Sequence, residues 1–297
     1  MKRTIAVALP VRLAEATIEA TIASLVPQCL ELDAELLIAV SSEDPTAALL
    51  RRIGPRNARV LYKPGLMGVP QLRRAAVLAT EANYIVIVED HITVPQGWLR
   101  TLVDAIDQHG VAVSGGGVTQ GLAHYAGWAQ YFTRYSNFMQ PLTEGPTKML
   151  PGNNACYRRQ LFENNRALLK EGFWEAEFNH EIASEKPFWM CASVPVTQHQ
   201  MRGAFRYIPL RYRHGRCYGA RRFQTTPPSM RTKLILQSPL IPLVLFVRAA
   251  RAVFTKRMHR LRFLGCCPLL VLYFLAWGVG EAVGYLKGAG GSCAQTD

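Results

Sequence analysis

Apolar runs and helically spaced stretches alternate along the first 200 residues. Short runs rich in Val, Ile, Leu and Ala predict strands at residues 4–9, 35–40, 59–62, 84–88 and 111–114. Apolar positions recurring every three to four residues predict helices at residues 14–26, 46–53, 69–80 and 99–109. Strands that alternate with helices of this length indicate an α/β fold, with a mostly parallel, Rossmann-like sheet flanked by helices. The first run is too short for a signal peptide, so we interpret it as a strand.

The last part of the chain has a different pattern. Residues 234–247 are apolar but contain Pro239 and Pro242, and residues 263–280 carry no formal charge. The first stretch is too short to span a bilayer, and we interpret it as a re-entrant or interfacial segment. The second is about 27 Å long as a helix. Two interpretations stay open, a transmembrane helix or a hydrophobic hairpin lying in one leaflet. Glu281 makes a longer span doubtful, since a carboxylate in a membrane needs a partner or an interface.

The net charge of +13 is concentrated in one segment. Residues 1–200 contain 18 basic and 19 acidic side chains, whereas residues 201–262 contain 15 basic and no acidic ones. Such a block can face nucleic acid, an anionic bilayer or a phosphorylated substrate. Because it adjoins the apolar stretch, we expect anionic membrane lipids and no nucleic acid as partners.

This charge pattern also predicts a location and a division of the chain. By the positive-inside rule, the basic residues before position 263 lie on the cytoplasmic face of a membrane. We predict an α/β domain over residues 1–225 and a basic, membrane-associated or transmembrane helical region over residues 226–297. The seven cysteines are scattered and contain no Cys-x-x-Cys pair, which argues against a disulfide framework and favours a reducing compartment.

The predicted strand at 84–88 ends in three polar residues, Glu89, Asp90 and His91. In an open α/β sheet the carboxyl ends of the strands form the ligand-binding edge. Carboxylate and imidazole groups are ligands that suit Mg²⁺ or Mn²⁺ carrying phosphate oxygens. The plain alternative is a strand followed by a solvated turn.

Other strand ends contribute polar groups to the same predicted edge. The first two strands are followed by Pro10 and Arg12 and by Ser42 and Glu43, and the third leads into a helix that carries Arg73. A planar guanidinium group at Arg73 suits diphosphate oxygens, and the plain alternative is a solvated helix face, which we favour for the neighbouring Arg74.

Two later clusters are rich in amides, aromatic rings and carboxylates. Asn153 and Asn154 lie in a predicted turn before a helix, and Trp174 precedes Glu175 and Glu177. On a helix, Glu175 and Asn179 share one face while Glu177 and Glu181 share another, so one face can look into a site. A carboxylate within hydrogen-bond reach of a hydroxyl can act as a general base. By itself the carboxylate cluster is more typical of a charged helix than of a site.

The order and spacing of these elements resemble the inverting family 2 glycosyltransferases of the GT-A type. The features that carry the resemblance are the strand-turn-helix units, Glu89-Asp90-His91 with Pro95 and Trp98 after it, the Asn153-Asn154 turn, Trp174-Glu175 and the late His199. The resemblance covers roughly residues 4–222. It implies a hexosyltransferase-like, metal-dependent enzyme that uses a nucleotide-diphosphate sugar and inverts the anomeric carbon.

The resemblance also assigns roles residue by residue. Glu89 and His91 match the two metal-facing positions of the family's Asp-x-Asp motif, and His199 matches a late histidine near the metal. Glu175 matches the base, with Glu177 as the substitute. Donor and diphosphate binding falls to Pro10, Arg12, Ser42, Glu43, Arg73, Asp90, Arg213 and Arg216, and acceptor binding to Asn153, Asn154 and Trp174.

Two departures from the family pattern leave questions open. The usual metal-binding aspartates are replaced, which bears on the identity of the divalent metal, Mn²⁺ or Mg²⁺. Ser41-Ser42-Glu43-Asp44 replaces the usual aspartate at the nucleotide base, which leaves the nucleotide open. The membrane-associated region suggests a carbohydrate or lipid-linked acceptor. Other function classes stay open: a nucleotidyltransferase, a catalytically degenerate membrane scaffold, or a nucleic-acid binder.

Overall fold

The computed structural model describes residues 4–183, 187–199 and 202–295. The chain divides into two compact units. The first comprises Met1–Gly121 with Phe138–Gln200, and the second comprises Leu122–Asn137 with Met201–Asp297. The predicted domain boundary at residue 225 stays a prediction.

The first unit is a mixed sheet flanked by helices. Its strands are β1 (Ile5–Val11), β2 (Glu35–Ser41), β3 (Arg59–Lys63), β4 (Tyr84–Val88), β5 (Ile92–Thr93), β6 (Val113–Gln120), β7 (Gly145–Thr147), β8 (Asn154–Arg158) and β9 (Phe188–Gln198). Its longer helices are α1 (Ile18–Glu31), α2 (Pro45–Ile53), α3 (Val69–Val77) and α4 (Trp98–His109), and two shorter ones are α6 (Arg159–Asn164) and α7 (Glu175–Ile182). The helix between α4 and α6, α5 (Tyr125–Tyr135), belongs to the second unit.

The strands lie in the order β3-β2-β1-β4-β8-β6-β9-β5, and β7 pairs with β9. β1 to β4 are parallel to their neighbours within this group, as the alternating pattern predicts. Every side chain of β1 and β4 is buried, which explains their continuous apolar runs. The sheet becomes mixed where β8 inserts antiparallel between β4 and β6.

Several predicted elements differ from the structure, and contacts explain three of the differences. β1 continues past residue 9 because its ladder with β2 extends to the pair Val11 and Val40. α1 begins at residue 18 and not at 14, because the backbone N–H of Ala14 donates to Thr46 Oγ1 at 2.9 Å and a turn follows. Asn154 begins strand β8, so a strand and not a helix follows the Asn153-Asn154 turn directly.

The second unit is helical. Besides α5 it contains α8 (Tyr207–Thr225), α9 (Pro228–Gln237), α10 (Ile241–Lys256) and α11 (Arg260–Lys287). Two stretches, Pro228–Lys256 and Arg260–Lys287, are long and apolar enough to cross a membrane by length and composition. We call residues 228–287 the apolar hairpin. α10 and α11 run antiparallel within it, with Pro242 against Gly278 and Phe254 against Phe263.

Glycines bring α8 and α11 into backbone contact. A Cβ atom on Gly215 or Gly219 of α8 would overlap the backbone of Trp277 or Glu281. On α11, a Cβ atom on Gly280 or Gly284 would overlap the carbonyl oxygen of Tyr212 or Arg216. Both helices therefore carry a Gly-x-x-x-Gly spacing at their interface, a motif that permits close approach of two helices. Gly215 faces Trp277 and Gly219, one turn later, faces Glu281, so the two helices run parallel.

Glu281, whose carboxylate needs a partner if its helix lies in a membrane, finds its partners at this interface. The carboxylate is buried and accepts hydrogen bonds from Trp277 Nε1 at 2.8 Å, from Arg222 at 3.2 Å and from the Tyr285 hydroxyl. A buried carboxylate with a cation and two further donors is compensated, so Glu281 is compatible with a largely apolar helix.

One expectation about the cysteines is wrong. Cys217 of α8 and Cys293 form a disulfide, with their Cα atoms 5.0 Å apart. Among the described residues, the free thiols are Cys29, Cys156, Cys191, Cys266 and Cys267. Neither local spacing nor a Cys-x-x-Cys motif signals this pair, because 76 positions separate its members.

Candidate functional site

The carboxyl end of β4 carries a buried polar turn. Glu89, Asp90 and His91 are each about 5% exposed. The carboxylate of Asp90 accepts the backbone N–H of Arg12 at 2.6 Å, and its carbonyl oxygen accepts the hydroxyls of Thr17 and Thr21 at 2.8 and 3.0 Å. Burial raises the pKa of Asp90, while His91 and the Arg12 N–H oppose this. These bonds fix the turn against β1 and α1.

Arg73 of α3 joins two carboxylates that are distant in sequence. Its guanidinium group contacts Glu89 through one terminal nitrogen and Glu175 through the other. Arg73 and Glu89 are buried, whereas the Glu175 side chain is 28% exposed. The Glu175 carboxylate is therefore the one that an incoming molecule can reach. Binding of diphosphate by Arg73 stays a prediction. The observed contacts of its guanidinium group are with Glu89 and Glu175.

Local packing places Glu175 beside Arg73. The N–H of Phe173 donates to the carbonyl of Pro70, at the start of α3, at 2.8 Å. Phe173 is fully buried and packs against Tyr157, Phe162 and Phe178. Gly152 lies so close to the Glu175 side chain that a Cβ atom there would overlap it.

α7 presents its two faces as the sequence predicts. Glu175 contacts Arg73, and Asn179, one turn later, is buried and accepts the Tyr157 hydroxyl at 3.1 Å. Glu181 is exposed and Glu177 is partly buried. The inward face of α7 therefore offers Glu175 as its carboxylate at the site.

The amide of Asn154 is used within the sheet. Its Oδ1 accepts Trp98 Nε1 at 2.8 Å, and its Nδ2 donates to the carbonyls of Gly117 and Val194 at 2.9 and 3.2 Å. A Cβ atom on Gly116 would clash with Val194 O and Asn154 Nδ2, which explains the glycine run in β6. The Asn154 side chain thus connects β8 to β6, to β9 and to Trp98 of α4. Acceptor contacts from Asn153, which is buried, and from Trp174, which precedes α7, stay predictions.

Glu89 and His91 fit a divalent cation. His91 Nδ1 lies 3.0 Å from Asp90 Oδ1, and His91 Nε2 lies 3.3 Å from Glu89 Oε2. Nε2 is buried and has no hydrogen-bond partner. A divalent cation between this nitrogen and the carboxylate oxygen of Glu89 would interact favourably with both atoms. Their separation is close to the roughly 3 Å between adjacent ligands of an octahedral ion bound at about 2.1 Å.

The protein alone does not form a complete metal site. Within the described ranges, no group of three or more His, Cys, Asp and Glu side chains is arranged to hold an ion. A cation at Glu89 and His91 would therefore need further ligands, such as water or phosphate oxygens.

His199 lies next to this turn but has another partner. Its backbone N–H donates to the carbonyl of His91 at 2.8 Å, and its Nε2 lies 2.8 Å from Thr93 Oγ1. Burial and the nearby His91 lower the pKa of His199, so its ring is neutral at pH 7. Its predicted contact with the metal stays a prediction.

The remaining predicted residues occupy two places. Pro10 is buried in β1, and Arg12, Ser42 and Glu43 follow the strand ends, where the last two are exposed. Asp44, beside them, caps α2 through Thr46 N and accepts the N–H of Leu13, so it has a structural role. Arg213 and Arg216 belong to α8 of the second unit. Arg213 is exposed, and Arg216 Nε donates to the carbonyl of Gly288 at 2.9 Å.

Comparison with known families identifies the family of the chain. The family model described as Glycosyl transferase family 2 matches residues 6–166, which is more than half of the chain. The chain belongs to glycosyl transferase family 2. The matched range contains β1 to β4 and the Glu89-Asp90-His91 turn, and it ends before Glu175.

Solved structures share the fold of this family 2 chain. Residues 1–349 of S. aureus TarS are 14% identical, with a TM-score of 0.52 over 96% of this chain and 92% of that chain. The mannosyltransferase PcManGT from Pyrobaculum calidifontis, solved with GDP-Man and Mn²⁺, is 15% identical, with a TM-score of 0.55 over 96% and 87%. At these identities the similarity shows the GT-A-like fold. No curated protein sequence matches the chain.

Sequence reasoning missed the contacts that organise this family 2 site. The pairing of Arg73 with both acids and the use of Trp98 by Asn154 connect distant parts of the chain, so no local pattern reveals them. Gly152, a glycine next to a polar turn, indicates a close approach at that position but does not identify Glu175 as the neighbour.

Proposed function

We propose that this chain is an inverting glycosyltransferase that moves a sugar from a nucleotide-diphosphate sugar to an acceptor hydroxyl, with Glu175 as the base. One observation carries the proposal. Arg73 brings Glu175, from the second half of the sheet unit, next to Glu89 at the carboxyl edge of β4. Ligands of open α/β sheets bind at this edge. Family membership and the nucleotide sugar in the PcManGT complex support the same donor class.

Glu175 has the exposure and the chemistry of a base. In the proposed reaction it accepts the proton of the acceptor hydroxyl while the hydroxyl oxygen bonds to the anomeric carbon. The bond from that carbon to the diphosphate oxygen breaks, and the nucleoside diphosphate leaves from the opposite face. The anomeric configuration therefore inverts. Arg73 holds the Glu175 carboxylate in place, and its positive charge offsets the repulsion between Glu175 and the nearby Glu89. Glu177 is the substitute candidate on the same helix.

Glu89 and His91 are the residues that would hold a divalent metal, Mn²⁺ or Mg²⁺. Such an ion offsets the negative charge that develops on a diphosphate leaving group. The buried, unpaired Nε2 of His91 beside Glu89 supports this assignment. PcManGT was solved with Mn²⁺, which supports a metal in this fold.

The surface of the second unit supports a proposal for the class of acceptor. The exposed apolar residues of α10 and α11 and the basic residues around them favour a membrane-bound enzyme. We therefore propose a carbohydrate or lipid-linked acceptor delivered at a membrane.

A ligand screen tests the donor and the metal together. Thermal melting of the full chain in detergent is followed with UDP, GDP, CDP or dTDP, each with and without Mn²⁺ or Mg²⁺. A ligand present at 100 times its dissociation constant stabilises the folded state by about 2.7 kcal/mol. We expect a metal-dependent shift with one diphosphate, and the corresponding nucleotide sugar then serves in transfer assays. No shift with any diphosphate, from folded protein, would contradict the proposal.

A further inference from the structure

The apolar hairpin exposes an apolar face on α11. The exposed side chains of this helix are spaced by three, four, seven or eight residues and so form a stripe: Leu261, Leu264, Leu272, Leu275, Val279 and Leu286. The preceding segment adds Leu236, Leu240, Leu243, Val244, Val247 and Phe254. An apolar surface of this extent marks an interaction site. The opposite side of α11 is buried, for example at Phe263, Leu270 and Tyr273.

The second half of α11 is bound to a polar helix. α8 lies parallel to it from Tyr207, whose ring is 4.8 Å from that of Tyr273, onward to Arg222 beside Glu281. The guanidinium group of Arg211 lies 4.3 Å above the Trp277 ring. α8 contains five arginines and no acidic residue. Such a helix is excluded from the hydrocarbon core because each arginine there is costly to insert.

The turn of the hairpin is bound to another polar helix. Lys256 Nζ donates to the carbonyl of Asn137 at 3.0 Å, directly after α5. Arg262 lies 4.7 Å above the Trp128 ring, and the Tyr125 hydroxyl donates to the carbonyl of Gly265. The turn and the helix ends beside it carry four basic residues, Lys256, Arg257, Arg260 and Arg262. It could cross a bilayer only by taking these charges through the hydrocarbon.

These two attachments leave too little free helix in α11 to span a bilayer. Before its contact with α8 at Tyr273, α11 has only the 13 residues from 260 to 272, about 20 Å of helix. The hydrocarbon core is about 30 Å thick. One side of the hairpin remains covered by α5 and α8, so lipid can reach only the exposed apolar face.

We propose that the apolar hairpin lies flat on an anionic bilayer, with its exposed apolar side chains in one leaflet and no segment crossing the membrane. The charge pattern identifies the occupant, since residues 226–262 contain eight basic and no acidic side chains. Arg248, Arg251, Arg257, Arg260 and Arg262 are exposed and can contact lipid phosphate. The proposal concerns attachment only and does not depend on the proposed reaction.

Topology is tested with the full chain bound to the outside of sealed vesicles of phosphatidylglycerol and phosphatidylcholine. Single cysteines are introduced by Met258→Cys in the turn, Gln295→Cys after α11 and Arg56→Cys in the first unit. Labelling with a membrane-impermeant maleimide is measured before and after detergent, with the signal of the parent chain subtracted. We expect all three positions to label fully before detergent. Labelling of position 258 or 295 only after detergent would overturn the proposal.

The apolar face is tested by vesicle flotation. The double variant Leu264→Lys/Leu275→Lys should bind at least tenfold less than the parent chain. The matched control is Leu78→Lys in the first unit, because Leu78 and Leu264 are both 53% exposed. Retained circular dichroism shows that the variants are folded. Unchanged binding of the double variant, equal binding to purely zwitterionic vesicles, or a change only in self-association would contradict the proposal.

Discussion

The guanidinium group of Arg73 contacts the carboxylate of Glu175 although 102 positions separate the two residues. Glu175 is the first residue of α7, and Arg73 lies in the middle of α3. This contact places the proposed base and the β4 turn in one polar cluster, and the first two of the following predictions depend on it.

Glu175→Gln should lower the rate of sugar transfer by about 10²–10⁴-fold, because the amide cannot accept the proton of the acceptor hydroxyl. Donor binding, followed by the melting shift, should be retained. Glu181→Gln, on the exposed face of α7, is the control and should leave the rate unchanged. If Glu177→Gln lost activity while Glu175→Gln retained it, the base would be Glu177.

Arg73→Ala should destabilise the protein by about 3–5 kcal/mol, because it leaves the Glu89 carboxylate buried without its cation. The matched control is Arg59→Ala, which breaks the exposed pair of Arg59 and Glu35 and should change the stability by less than about 1 kcal/mol. Urea denaturation measures both. Equal losses in the two variants would show that the buried pair has no special contribution.

His91→Ala should remove the metal-dependent part of the stabilisation by the nucleoside diphosphate. His199→Ala should retain most of it, because the His199 ring lies against Thr93. The thermal shift with and without Mn²⁺ separates the two variants. The reverse order of effects would place the metal at His199 and contradict the assignment to Glu89 and His91.

The cysteines should differ in reactivity toward a maleimide. Burial raises the pKa of Cys29 and of Cys191 to about 12, so their thiolates are scarce at pH 7.5 and they should label slowly in folded protein. Cys217 and Cys293 should label only after reduction, as mass spectrometry of the peptides would show. Rapid labelling of both in unreduced protein purified under air would contradict the disulfide.

The same measurement bears on location. A stable disulfide is typical of oxidising compartments, whereas the basic residues favour the anionic cytoplasmic leaflet. Labelling in freshly lysed cells with the thiols trapped at once would decide which condition the protein experiences.

Gly280→Ala should destabilise the helical unit by about 1–3 kcal/mol, because its methyl group would force α11 away from the Tyr212 carbonyl of α8. Gly265→Ala is the control in the same helix. Its nearest neighbour would be Tyr125 Cε2 at 3.9 Å, so the higher helix propensity of alanine should make it neutral or stabilising by up to about 1 kcal/mol. Thermal melting in detergent compares them, and a similar loss for both would argue against close packing.

Residues with local signals were predictable from the sequence. The buried run of β4 and the polar turn after it follow from composition, and the periodicity of α7 separates Glu175 from Glu181. Contacts between residues far apart in the chain had no such signal. The antiparallel insertion of β8 depends on hydrogen bonds that Asn154 makes with Trp98 and β9, and the resemblance offered Asn154 as an acceptor contact. The partners of Glu281 and Cys217 likewise come from helices far apart in the chain.

The disulfide between Cys217 and Cys293 has a consequence for the integrity of the chain. It closes a covalent ring that contains the last part of α8 and the whole of α9, α10 and α11. A ring of this size lowers the entropy of the unfolded chain by an amount equivalent to roughly 4 kcal/mol. A single proteolytic cut between the two cysteines would also leave both fragments joined. Nicked and intact protein would then remain one particle until a reductant separates them.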